Sequence, residues 1–236
     1  MQIQSFASGS GGNCYRVTAG GSSLLLDAGI RFREIRKALN FQVSSLAGVL
    51  VSHEHADHSK AAKDLARAGV DVYLSRGTSA ALDLIGHRVE YLTPLQQTEI
   101  GAWTVLPFSV MHDAEEPLGF LLATGGEKLL YLTDSAYCPY RFQGLTHILL
   151  EINYSTDILN ANVRNGTVSP DLRNRIVRSH MSLETAKGFL GANDLSRVEE
   201  IHLMHLSGGN SDAARFKREI QRLTGRPTFV CEEGLR

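Results

Sequence analysis

The stretch Val51-Ser52-His53-Glu54-His55-Ala56-Asp57-His58 follows directly on the apolar run Leu46-Ala47-Gly48-Val49-Leu50. Five of its eight residues could bind or steer a metal ion. A short apolar run that ends in polar, ligand-type side chains reads as a buried strand delivering its tip to a site. Three histidines and an aspartate within six residues are hard to explain by packing, because a buried polar group needs a partner. The alternative without chemistry is a solvated His-rich turn.

The same arrangement recurs further along the chain. His112 stands in Val110-Met111-His112-Asp113-Ala114, just past a strand expected over 102–109. Asp134 follows the strand Leu129-Leu130-Tyr131-Leu132, and His205 ends Ile201-His202-Leu203-Met204. Taken singly, each histidine reads as a hydrogen-bonded structural residue and Asp134 as a turn residue. Their recurrence at strand ends, where α/β architectures gather sites, makes them candidate ligands. His87, His147 and His202 lack this setting and read as surface or satisfied strand histidines.

The chain has 236 residues, 43% hydrophobic and 21% charged. This suits an ordinary globular protein and one domain over residues 1–236. No apolar run approaches the roughly 18 residues of a membrane helix. The N-terminus lacks a basic n-region and a long apolar core, so no membrane association and a cytoplasmic location are expected. Cys14, Cys138 and Cys231 lie far apart without CxxC spacing, which excludes a thiolate metal knot and a disulfide framework. They read as buried or partly buried thiols of a reduced protein. Net charge is −1, so no global polycation is available to hold nucleic acid. Two basic clusters, Arg31 to Lys37 and the segment with Arg164, Arg173, Arg175 and Arg178, each read as a solvated helix face or a local phosphate contact.

Through residue 90, strands and helices alternate. Strands are expected at 2–7, 14–18, 24–26, 46–51 and 70–74, with helices over 31–40, 59–68 and 78–85. Consecutive strands follow at 89–92, 102–109, 119–124 and 128–132, with Gly125-Gly126 as a hairpin turn. A buried strand at 146–152 precedes a mainly helical region in which Ser169-Pro170 opens a helix. Strands at 198–206 and 228–231 flank a last helix that carries Phe216, Ile220 and Leu223.

His53-x-His55-x-Asp57-His58, followed by His112, Asp134 and His205, resembles the metallo-β-lactamase superfamily signature along nearly the whole chain. Within it the chain is most similar to the YycJ/WalJ-type branch of DNA exonucleases. The matching stretches are Ser10-Gly11-Gly12-Asn13, His112-Asp113-Ala114 with Pro117 and Gly119, Leu150-Glu151-x-Asn153, Ser179-His180-Met181-Ser182, and His205-Leu206-Ser207 with Asn210. Tyr154-Ser155 stand where that branch often has His-Asp. The resemblance implies an α/β (α+β) fold, an αβ/βα four-layer sandwich of two mixed β-sheets with outer helices.

It also implies two divalent metal ions, Zn²⁺ or Mn²⁺. His53, His55 and His112 would hold one, Asp57, His58 and His205 the other, and Asp134 would bridge them. Such a pair lowers the pKa of a bridging water and clamps the attacking and leaving oxygens of a phosphodiester. Asp57 would orient that hydroxide or take its proton, and His180 would grip the scissile phosphate and protonate the leaving oxygen. A structural histidine at a helix N-terminus is the plainer reading of His180. Asn13, Asn153, Ser182, Ser207 and Asn210 are candidate substrate contacts, although each could equally be a turn or cap residue. Asp27 could support the metal shell or simply bond to nearby backbone.

The leading expectation is a dinuclear-metal phosphodiesterase with DNA as partner, a 5′-to-3′ exonuclease. A small-molecule metallo-hydrolase, acting on a cyclic phosphate or a thioester, is the second reading. A metal-binding module without catalysis is the third. His53-Glu54 does not continue to a zincin motif, since Asp57 stands where the second histidine would. Gly9-Ser10-Gly11-Gly12 lacks the third glycine of a dinucleotide loop, and no GxSxG elbow occurs.

Overall fold

The computed structural model describes residues 1–231. The last five residues of the expected 1–236 domain lie outside the described residues. The fold is α+β, with two mixed β-sheets of six and seven strands. Contacts divide the chain into two compact units, one of residues 1–109 and 114–127, the other of residues 110–113 and 128–231.

The first unit opens with β1 (Gln2–Ala7), β2 (Cys14–Ala19) and β3 (Ser22–Leu26). These pair antiparallel, and β3 then pairs parallel with β4 (Leu46–Leu50), followed by β5 (Val72–Leu74) and β6 (Val89–Tyr91). The helices between them are α1 (Phe32–Ala38), α2 (Ala56–Ser59), α3 (Ala62–Arg67) and α4 (Arg76–Leu82). Ile35 of α1 and Leu65 of α3 are fully buried in one cluster with Leu25, Val49 and Val72, so each helix covers the sheet with a single apolar stripe. The unit also holds the antiparallel strands β7 (Thr98–Ile100), β8 (Trp103–Ser109) and β9 (Leu118–Thr124).

The second unit is built on four parallel strands, β10 (Glu127–Leu132), β11 (His147–Glu151), β12 (Glu200–Met204) and β13 (Thr228–Val230). Every residue of β11 is buried, as expected of a strand covered on both faces. The helices are α5 (Thr156–Arg164), α6 (Pro170–Ser179), α7 (Leu183–Ala192) and α8 (Ala213–Thr224). Ser169 caps α6 by accepting from Leu172 N, with Pro170 in the first turn, as its sequence predicts. Gly125 and Gly126 both adopt positive φ, 56° and 85°, the backbone that a two-residue hairpin turn demands.

Two expectations need correction. The single helix expected over 59–68 is two short helices, α2 and α3, because Ala61 N donates to Ala28 O (2.8 Å) rather than continuing the first helix. Strand β7 was not expected, since only Ile100 of its three residues is buried and no apolar run announces it.

Candidate metal centre

In the first unit, the His-rich loop begins where β4 ends and is sewn onto the tip of β3. Ala28 N donates to His58 O (2.7 Å), Asn13 N to Asp57 O (2.7 Å), and Gly29 N to Asn13 O (2.9 Å). The loop therefore has a fixed backbone before any ligand arrives. Asp27, fully buried, organises the side chains. Its carboxylate accepts from Ser52 N (2.7 Å) and Ser52 Oγ (3.0 Å), and lies 2.7 Å from Nδ1 of His58. A carboxylate that close requires Nδ1 of His58 to carry the proton, which leaves Nε2 as the basic nitrogen. Because the single Ser52 hydroxyl proton goes to Asp27, Nδ1 of His53, 3.0 Å from Ser52 Oγ, must donate, and Nε2 of His53 is basic as well. The ring of His53 lies 4.7 Å from that of His55 and 4.3 Å from that of His58. Asp57 Oδ2 is 3.5 Å from Nε2 of His58. The candidate ligands of this loop are thus brought together, and Asp27 bonds to the side chains of Ser52 and His58 as well as to backbone.

In the second unit, Asp134 and His205 follow β10 and β12 with φ of 39° and 53°, left-handed values that cost energy in any residue but glycine. His205 Nδ1 is 2.5 Å from Asp134 Oδ1. His112 Nδ1 lies 2.8 Å from Ser179 O, and since a carbonyl can only accept, Nδ1 carries the proton. Nε2 of His112 is then basic, and it faces Asp134 Oδ2 at 3.5 Å.

Glu151 and His180 complete this half. Glu151 is fully buried at the end of β11, where Oε2 accepts from Ser135 N (3.0 Å) and Met181 N (3.2 Å) and Oε1 sits 2.6 Å from Nδ1 of His180. Burial pushes the Glu151 carboxyl up, but the His180 charge together with the hydrogen bonds from His180 and His205 holds the acid below its ordinary value. Burial likewise pushes His180 down, yet the Glu151 carboxylate and its hydrogen bond hold the imidazole above its ordinary value. His112 stays below its ordinary value because burial dominates. His180 and Glu151 therefore favour an imidazolium–carboxylate pair, whereas His112 favours the neutral ring. Residue reasoning gave Glu151 no role. Its signal was the pattern that pointed to Asp134 and His205, a ligand-type side chain at the tip of an apolar strand.

The donor chemistry fits divalent metal. Ligand-type atoms of Asp134, Glu151, His180 and His205 lie within 4.8 Å of one another, and with His180 and Glu151 paired to each other, Asp134 and His205 are the two left to face an ion. Imidazole and carboxylate donors without thiolate suit Zn²⁺ or Mn²⁺. Three histidines with Nδ1 tied back and Nε2 basic are oriented as metal-binding histidines are. Nε2 of His58 now faces the Asn13 amide at 3.1 Å, and an ion there would take the lone pair that this amide approaches.

Of the expected substrate contacts, Ser207 is half-buried and the other four are buried. Asn13 is held by Gly9, Tyr15 and Asp57, and Ser182 caps α7. Asn153 Nδ2 donates to His205 O (3.1 Å), Ser207 N donates to Asn153 O (2.9 Å), and Asn210 N approaches Ser207 Oγ (3.3 Å). The three thereby brace the loop that follows His205. Cys14, Cys138 and Cys231 are buried free thiols, with Cys138 pushed up to about 11 and Cys231 to about 12 by burial.

Fold and donor sets define a metallo-β-lactamase-fold hydrolase that depends on metal. A β-lactamase superfamily domain model matches residues 23–205, and the chain belongs to that superfamily. It is 28% identical over 222 residues to exodeoxyribonuclease WalJ of Streptococcus pneumoniae, covering 87% of this chain and 81% of that protein. It is 30% identical over 231 residues to exodeoxyribonuclease YycJ of Bacillus anthracis, covering 89% and 84%. Among solved structures, the metallo-β-lactamase fold protein YhfI from Bacillus subtilis superposes with a TM-score of 0.75 at 16% identity, covering 99% and 97% of the two chains.

Proposed function

We propose that this chain is a dinuclear-metal phosphodiesterase that degrades DNA from a strand end, in the 5′-to-3′ direction. The observation that carries the reading is His180, an imidazole that keeps 19% of its side chain exposed and whose Nδ1 is gripped by a buried carboxylate beside Asp134 and His205. That arrangement suits donation of a proton to a leaving alkoxide, and it would be of little use to a module that only stores metal. Likeness to two exodeoxyribonucleases over most of the chain supports DNA as the phosphodiester.

His53, His55 and His112 would hold one ion and Asp57, His58 and His205 the other, with Asp134 shared. Bound there, the ions would supply Lewis-acid charge and an activated water. The protein's own part is to keep Nε2 basic on His53, His58 and His112, to set Asp57 as proton acceptor, and to keep His180 protonated through Glu151. Ser207 is the first candidate for substrate contact, while Asn13, Asn153, Ser182 and Asn210 shape the loops around it. Residues 1–236 work as one domain in this scheme. A DNA substrate and three free thiols are consistent with a reducing cytoplasm.

The test sets end-labelled single- and double-stranded DNA against a cyclic nucleotide and a thioester, each with Mn²⁺ or Zn²⁺. Shortening of DNA from the 5′ end is expected. Cleavage of the cyclic phosphate or thioester with DNA untouched would install the small-molecule reading instead. His180→Ala should keep its metal by elemental analysis while turnover falls about 10²- to 10⁴-fold. Unchanged turnover would return His180 to a structural role.

A further inference from the structure

Four aromatic residues of the described chain are strongly exposed: Phe41, Tyr91, Tyr137 and Phe229. Three of them are covered on a face. Arg36 lies over Phe41 at 5.4 Å, Arg76 over Tyr91 at 4.3 Å, and His202 stacks on Phe229 at 5.2 Å. Tyr137, 54% exposed, has no ring or cation against it among the described residues. It stands three residues after Asp134 in the segment that leaves β10.

The backbone that presents this ring is pinned. Ser135, fully buried, donates its N–H to Glu151 Oε2 (3.0 Å) and its hydroxyl to Tyr137 O (2.8 Å). Ser135 Oγ in turn accepts from Met111 N (3.0 Å), and Ala136 N donates to Met111 O (2.9 Å). Met111, also 54% exposed, directly precedes His112. Two large apolar side chains thus stand in solvent on segments bonded to each other, each within three residues of a candidate ligand.

Two exposed side chains on bonded segments fall far short of the roughly 800 Å² per partner of a stable protein interface. The one exposed ring, that of Tyr137, is the size of one flat aromatic guest. The neighbouring residues are suited to a phosphodiester, and the aromatic group attached to a nucleic-acid phosphodiester is a base. We propose that Tyr137 is a stacking platform for a nucleobase of the strand being cut, with Met111 as its polarizable border. This rests on the phosphodiesterase reading and adds a specificity determinant to it. Stacking is indifferent to base identity, so the platform would favour a nucleic-acid end over a phosphodiester without a base while reading no sequence.

The experiment is a double-mutant cycle. Wild-type chain and Tyr137→Ala are each given a 3′-labelled ten-nucleotide strand and the same strand with two terminal nucleotides made abasic, at either end. Binding is read by fluorescence anisotropy in EDTA, and KM and kcat by cleavage in Mn²⁺. Removing the bases should weaken binding and raise KM about tenfold for wild type. Tyr137→Ala should weaken the intact strand as much, with no further loss on the abasic strand and kcat unchanged. Tyr137→Phe should behave as wild type, because the ring rather than the hydroxyl does the stacking. Independent, additive effects of ring and base would overturn the platform while leaving the nuclease intact, as would a Tyr137→Ala variant that matches wild type. A wild-type chain that neither binds nor cleaves DNA would remove the nuclease reading and the platform with it.

Discussion

Asp134 is held at φ 39°, its Oδ1 2.5 Å from His205 and its Oδ2 3.5 Å from His112. A side chain in the left-handed region is disfavoured unless something compensates, and here the compensation is the position it gives the carboxylate. This separates two consequences of removing it. Asp134→Ala and Asp134→Gly should both lose metal at both positions, because each deletes the shared carboxylate. In metal-free urea unfolding, however, the glycine variant should be the more stable by about 1 kcal/mol, since only alanine keeps a Cβ in a conformation that penalises one. An alanine variant equal to or above the glycine variant would show that the backbone here is not strained. Full metal content in either variant would end the bridging role.

At the scale of elements, the loop Val51–His58 depends on a glycine that belongs to another segment. A Cβ on Gly29 would sit 1.7 Å from Asp57 O and 2.7 Å from Asn13 N, which is backbone that cannot swing aside. Asp57 O is already the acceptor for Asn13 N, and Gly29 N donates to Asn13 O. Gly29→Ala must therefore push the loop away from β3. The expected loss is about 1–3 kcal/mol of stability in urea, together with reduced metal content by elemental analysis. A variant with wild-type stability and full metal would show that the loop does not need this close approach. The sequence announces β4 and the loop, because an apolar run that passes abruptly into clustered histidines marks a buried strand emerging at a polar site. It announces Asp134 and His205 by the same contrast. It does not announce the break between α2 and α3, since the bond from Ala61 N to Ala28 O joins residues that are distant in sequence and carries no residue signature. Strand β7 is equally silent, being three residues long with one buried side chain. The proton assignments on His53, His58 and His112 depend on Ser52, Asp27 and a Ser179 carbonyl, partners that only the folded chain supplies.

For the whole molecule, the question is whether the fold waits for its metal. Each unit has an apolar core apart from the candidate ligands. Leu25, Ile35, Val49, Leu65 and Val72 are buried in the first, and in the second β11 is buried throughout while Tyr154, Leu159 and Val168 cluster against α5 and α6. Many small zinc domains lack such cores and are unfolded without their ion. The metal-free chain should therefore remain folded, with near-wild-type circular dichroism in EDTA and no hydrolytic activity. Each restored ion that binds only the native state should add about 2.7 kcal/mol when free metal is a hundredfold above its dissociation constant. For a chain of this size that is a rise in Tm of about 5–10 °C per ion, or about 10–20 °C for two. Titration with Mn²⁺ or Zn²⁺ followed by desalting should leave two ions per chain, and activity and Tm should recover together. Loss of all secondary structure in EDTA would make the metal a structural requirement and the cores insufficient. A chain that retains no ion and shows no shift in Tm would mean that these histidines and carboxylates, despite their fixed Nε2 lone pairs, do not form a metal centre.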